Sequence, residues 1–138
     1  MYLRMRIILF VWIENTFRSV LCEAIFNSKA PPGWSAESAG VNPATTINPA
    51  VVDLLREISV ALPPKKPRVV TPEMIAAAWR VITFGCLDRC PVGAEDKSED
   101  WPILGSTGKS FDQLREIRDE ISRRIDCLIA SILKTANP

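Results

Sequence analysis

Histidine is absent from this chain of 138 residues. Without an imidazole there is no Ser-His or Cys-His pair, no histidine general base and no histidine-ligated zinc. Long apolar runs are also missing. The run Ile7 to Ile13 gives way to Glu14, Asn15 and Arg18, short of the roughly 20 apolar residues that span a bilayer. No small-residue cleavage site follows it, so it does not read as a secretory signal. Nor is there an excess of charge of one sign. Seventeen basic and sixteen acidic residues leave a formal net charge of +1, which sets up no broad field to recruit nucleic acid or an anionic membrane. Internal repeats and low-complexity tracts are lacking too. The expectation is a cytoplasmic protein with no nucleic-acid or membrane partner and no implied cofactor. Its four cysteines are by default free thiols there.

What is present fits one domain over residues 1–138. A chain of this size buries about two thirds of its unfolded surface, enough for a core without metals or disulfides. Met1 to Arg4 reads as a short lead, with Met5 an alternative start. Arg6 to Trp12 is continuously apolar after its first residue and rich in β-branched and aromatic side chains, the pattern of a strand buried on both faces. A polar turn, Ile13 to Ser19, leads into a helix reaching about Ser28. Pro31, Pro32 and Gly33 break the chain, and Trp34 to Ala39 reads as a second strand closed by Gly40.

Asn48 and Pro49 start a helix with apolar residues at 51, 54, 55 and 58. The proline-rich stretch Ala61 to Pro67 is an extended connector. Thr71-Pro72 opens another helix, through about Trp79, and Val81 to Phe84 is a third buried strand. A brief strand is expected near Ser98 to Trp101, within a segment that is mostly loop. Ser110 with Gln113 is a capping-box pattern. Phe111, Leu114, Ile117, Ile121, Ile125, Leu128 and Ile132 mark one face of the helix that follows. Its arginines 115, 118, 123 and 124 read as a solvated face, with Asp119–Arg123 and Glu120–Arg124 as favourable i,i+4 pairs. Alternating strands and helices imply a parallel sheet covered by helices on both sides.

In open α/β sheets, ligands sit beyond the carboxyl ends of the strands. A strand-to-helix turn there aims backbone N–H groups and a helix dipole at an anion. Trp12 to Ser19 occupies that place. Arg18 offers a guanidinium fork to an oxyanion, and Asn15 can brace the turn with its side chain. Alone, this is a weak signal, since a lone arginine at a helix start is usually a solvated surface residue.

The segment Ile8-Leu-Phe-Val-Trp-Ile-Glu-Asn-Thr-Phe-Arg-Ser19 resembles the opening of the low-molecular-weight tyrosine phosphatase and thioredoxin-coupled arsenate reductase family. The resemblance continues through Glu23-Ala-Ile-Phe, Ser38-Ala-Gly, Asn48-Pro-Ala-Val-Val and Arg56-Glu-Ile. It runs on through Thr83-Phe-Gly-Cys-Leu-Asp-Arg-Cys-Pro91, Glu99-Asp-Trp-Pro102 and Arg115-Glu-Ile-Arg-Asp-Glu-Ile121, covering nearly the whole chain. It implies a three-layer α/β/α domain with a four-stranded parallel sheet, of flavodoxin-like type. It also implies a phosphate-binding loop in which Asn15, Arg18 and Ser19 are the oxyanion-binding candidates.

Two departures bear on function. The family's nucleophilic cysteine falls at Trp12, and its general-acid aspartate falls at Gly105, with Ser106 in place of the following proline. No carboxylate lies between Asp100 and Asp112. Phosphoryl transfer on such a scaffold needs a thiolate and an acid; indole is no nucleophile and glycine has no proton to give. The indole is also large enough to fill the cradle or reshape the turn. Read only as packing, Trp12 is the last large apolar residue of a buried strand.

Cys86 and Cys90 are similar to the two further cysteines that pass a disulfide outward in thioredoxin-coupled arsenate reductases, at shorter spacing. They are the redox candidates, against the plainer reading of reduced, partly buried thiols. A metal site is not expected, since a second pair of ligands would have to come from Cys22 and Cys127, both read as packing residues. Trp34, Trp79 and Trp101 read as structural, with Trp101 placed to line the former pocket. The expected function is that of a catalytically inactive binding or regulatory module, meeting a protein partner or an active paralogue. A homodimer through the same face is also allowed by the resemblance. The alternatives are a redox protein using Cys86 and Cys90, or residual binding of phosphate, arsenate or sulfate.

Overall fold

β1, Arg6–Trp12, is the second strand of a four-stranded sheet ordered β2-β1-β3-β4. The computed structural model describes residues 5–85 and 97–135; Met1 to Arg4, Cys86 and Cys90 lie outside them. α1 is Arg18–Ser28, β2 Trp34–Gly40, α2 Ala50–Glu57, α3 Pro72–Ala77, β3 Ala78–Thr83, β4 Ser98–Asp100 and α4 Phe111–Thr135. Each pairing is parallel, as the alternating order of elements predicts.

The β1 side chains alternate between two cores, as the period of a strand requires. Ile8 and Phe10 join the larger one, with residues of α1, α2 and α4. Leu9 and Val11 join a smaller one with Ile75 of α3, and with Ala78 and Val81 of β3. All four are wholly buried, which is why the run reads as continuously apolar instead of alternating. The result is the three-layer α/β/α arrangement.

Local chemistry sets the helix starts. The Asn48 side-chain oxygen accepts from Ala50 N–H at 2.9 Å, and Thr71 Oγ1 accepts from Met74 N–H at 3.1 Å with Pro72 in the first turn. Ser110 Oγ accepts from Gln113 N–H at 3.2 Å, while Gln113 Oε1 accepts from Ser110 N–H at 2.8 Å. That is the reciprocal capping box read from the sequence.

Three expectations need correction. α3 ends at Ala77 instead of near Trp79, because the Trp79 ring meets Trp34 of β2 edge-on at 4.9 Å from within β3. Arg118 is not solvated; it is 7% exposed and donates to Leu54 O at 3.0 Å and to Glu57 at 2.7 Å. Asp119 pairs with Arg118 at 3.0 Å, not with Arg123. Glu120 and Arg124 do pair, at 3.3 Å.

Candidate functional site

The turn after β1 is fastened from outside by its carbonyls. Trp12 O accepts from Val41 N–H, Ile13 O from Asn42, Glu14 O from Ala44 and Thr16 O from Asn48, at 2.7 to 3.1 Å. None of these bonds uses a turn N–H. Gly40, opposite Trp12 in the β1–β2 register, makes the close approach possible. A Cβ there would stand 2.5 Å from Ile13 O and 3.0 Å from Asn15 N.

Asn15 is wholly buried and takes a left-handed conformation, φ 57°, which asparagine tolerates better than most side chains. Its Nδ2 donates to Ser19 Oγ at 2.9 Å and to Ser38 Oγ at 3.0 Å. Its Oδ1 accepts from Arg68 N–H at 3.1 Å. Both amide protons and the carbonyl are thus engaged by protein, so Asn15 holds the turn in shape. Ser38 is further tied to Glu23 and to Lys65, whose ammonium also pairs with Glu23.

Arg18 opens α1 and is 9% exposed. Its guanidinium lies over the Trp12 indole, 4.1 Å from the ring centroid, with the Phe84 ring at 5.8 Å. Nη1 donates to the carbonyl of Ile103. Gly105 closes the other side: a Cβ at that position would stand 3.2 Å from Nη2 and 3.3 Å from Cζ. The fork that could grip an oxyanion is therefore held between an aromatic face and the 101–105 loop. Burial pulls the Arg18 pKa below its ordinary value, against a smaller opposing effect from Cys22; a guanidinium remains charged nonetheless.

The carboxylates flanking the loop are engaged elsewhere. Asp100 Oδ1 accepts from Thr83 Oγ1 at 2.6 Å and from Gly85 N–H at 2.5 Å. Asp112 pairs with Arg115 at 2.6 Å. Trp101 is 3% exposed and packs on Phe10 and Phe84, with its indole N–H on Glu99 at 2.6 Å.

Among the described cysteines, Cys22 is buried in the core and Cys127 is exposed. Burial pushes the Cys22 thiol well above its ordinary value, with Arg18 and Arg124 opposing more weakly. It is a protonated packing residue, poorly suited to nucleophilic attack. Among the described residues no cluster of His, Cys, Asp or Glu could hold a metal ion, and no helix is long and apolar enough to cross a membrane.

The structure brings Trp12, Asn15, Arg18, Ser19 and Gly105 into one region, and places the redox candidates Cys86 and Cys90 outside the described residues. Sequence reasoning did not anticipate Ile103, Lys65 or Arg68 as parts of it. Their contacts span 85, 42 and 53 residues, and no local pattern announces such bonds.

Comparison with known proteins agrees with this architecture. An arsenate reductase from Archaeoglobus fulgidus is 35% identical, with a TM-score of 0.75, over 89% of this chain and 98% of that one. A thioredoxin-dependent arsenate reductase from Corynebacterium glutamicum is 32% identical, with a TM-score of 0.81, over 96% of this chain; the chain spans 64% of that protein's length. An arginine phosphatase from Geobacillus stearothermophilus is 26% identical, with a TM-score of 0.82, over 94% of each chain. The family described as low molecular weight phosphotyrosine protein phosphatase matches residues 7–88, the stretch that carries β1, the turn and α1. The chain belongs to that family.

Proposed function

We propose that this chain is a non-catalytic member of its family, a binding or regulatory module whose ancestral pocket is filled by its own side chains. The observation that carries the reading is Arg18, stacked on Trp12 and bonded to Ile103 O with Gly105 against its edge. An oxyanion seeking that guanidinium must displace a protein carbonyl and part a cation from an aromatic face. Even then it would meet an indole where a thiolate is required, and a glycine where an acid is required. The natural counterpart of such a module is a protein, such as an active paralogue, that meets the same face of the domain.

Activity assays test this directly. The chain should not hydrolyse an aryl phosphate or reduce arsenate, and calorimetry with phosphate, arsenate or sulfate should give no saturable heat at millimolar ligand. Turnover near that of active relatives would overturn the reading. Trp12→Cys combined with Gly105→Asp should restore measurable activity, because the rest of the turn is still held in place by Asn15 and by the 41–48 loop.

The likeness to a thioredoxin-dependent arsenate reductase favours a second reading, in which Cys86 and Cys90 cycle between dithiol and disulfide. Thiol counts before and after mild oxidation should then differ by two per chain, a difference that Cys86→Ser abolishes.

A further inference from the structure

A cleft of about 630 Å³ opens between α1 and the 59–68 connector, away from the Trp12–Arg18 contact. Ala24, Val60, Leu62 and Pro63 give it an apolar wall. Lys65, Lys66 and Arg68 give it a basic rim, and the two sides are fixed differently. Val60 and Leu62 pack against the main core. Lys65 bridges Glu23 and Ser38, and Arg68 Nε donates to Ser38 O at 3.0 Å. The rim is thus built before any ligand arrives.

The charges facing the cleft do not cancel. Glu23 is taken by Lys65. Arg68 is 3.8 Å from Glu37, a loose contact between two half-exposed side chains. Lys66 is exposed and its ammonium has no ion pair or hydrogen bond among the described residues. One ammonium without a partner among the described residues, and one guanidinium anchored at Nε but only loosely paired at Nη2, therefore line an apolar hollow. A concave, mostly apolar site with a few convergent polar groups is the usual form of a small-molecule site.

We infer that this cleft binds a small amphipathic anion, with its hydrocarbon body on Val60, Leu62 and Pro63 and its carboxylate or phosphate head on Lys66 and Arg68. The cleft lacks Trp12 and Arg18 among its lining residues, although the Arg68 backbone also braces the Asn15 turn, and the inference stands whether or not the ancestral pocket is inactive.

Titration of the whole chain with sodium octanoate, followed by backbone amide shifts, tests the inference. Acetate supplies the head alone and 1-octanol the body alone. Octanoate should give saturable shifts confined to residues 23–28 and 59–68, with a millimolar dissociation constant, as suits so small a ligand. Acetate and octanol should bind at least roughly tenfold more weakly. Lys66→Gln, at an exposed position, should keep the native spectrum and raise the octanoate constant about threefold to tenfold. Four results would overturn the site: no saturation, shifts spread outside those residues, either partial ligand matching octanoate, or Lys66→Gln binding unchanged.

Discussion

The guanidinium of Arg18 sits 4.1 Å from the centroid of the Trp12 indole, six residues before it in the chain. Stacking over an indole is among the better placements for an arginine that is largely out of water. Its planar fork also reaches Ile103 O while Cζ lies over the ring. Arg18→Met should therefore destabilise the chain by about 1–3 kcal/mol, the cost of leaving a buried carbonyl without its charged donor. Arg18→Lys should recover less than half of that, since an ammonium has no flat face to stack. Urea unfolding measures both, and equal stability of the three proteins would remove the contact from any role in the fold.

Gly105 lies against the same guanidinium. A methyl group there would press on Nη2 from 3.2 Å, so Gly105→Ala should cost about 1 kcal/mol. The clash is with the end of a flexible side chain held in place by Trp12. In a Trp12→Ala background Arg18 can swing aside, and the same substitution should cost less than about 0.5 kcal/mol. The double-mutant cycle reads that coupling; strict additivity would show that Arg18 is not confined between the two residues.

Some of this was legible in the sequence and some was not. β1 was marked by its apolar run, and the start of α4 by Ser110 and Gln113, because both depend on neighbours in the chain. Asn15 and Arg18 stood out as turn residues for the same reason. The partner of Arg18 did not, because Ile103 arrives from 85 residues away, and no periodicity encodes that approach. The end of α3 is hidden from the sequence for a related cause. Ala76 to Trp79 suits a helix locally, yet the Trp34–Trp79 contact draws residue 79 into the sheet. Arg118 reads as solvated because arginine is a mostly exposed residue type, whereas Leu54 O and Glu57 hold this one inside.

Asn15 combines a backbone requirement with a side-chain one, and two substitutions separate them. Asn15→Gly keeps access to φ 57° and loses the bonds to Ser19, Ser38 and Arg68. Asn15→Ala loses both. Alanine should be the worse by about 1 kcal/mol, on top of roughly 2–4 kcal/mol for breaking a buried network. Thermal unfolding compares the pair, and alanine equalling glycine would mean that the left-handed turn carries no strain.

Glu57 makes stability depend on acid. Hydrogen bonds from Arg115, then Arg118, lower its pKa from 4.5 to about 2. A carboxylate depressed on folding adds stability that is complete above its unfolded value and fades as pH falls toward its folded one. The contribution should thus be whole above about pH 4.5 and lost toward pH 2. Glu57→Gln should be less stable than the parent at neutral pH, with the gap narrowing through that window. Because the pair with Arg115 is partly exposed, salt should narrow the gap as well. A gap that stays constant with pH would assign the loss to packing and not to charge.

The thiols give the most direct check on whether any sulfur but the candidates at 86 and 90 could serve the old pocket. Cys22 lies on α1 four residues after Arg18, whose positive charge acts to lower the thiol pKa. Burial is the larger effect and raises its pKa well above the ordinary value, so the native thiol stays protonated and out of reach of reagents. In a Cys86→Ser, Cys90→Ser background, a disulfide reagent should label Cys127 at once, because it is exposed. Cys22 should react only as fast as the chain opens, and urea should accelerate it in step with global unfolding. Fast labelling of Cys22 in the folded protein would mean that α1 opens beside Arg18 and that a second nucleophile stands behind the turn. In that case the filled pocket would no longer argue for an inactive one.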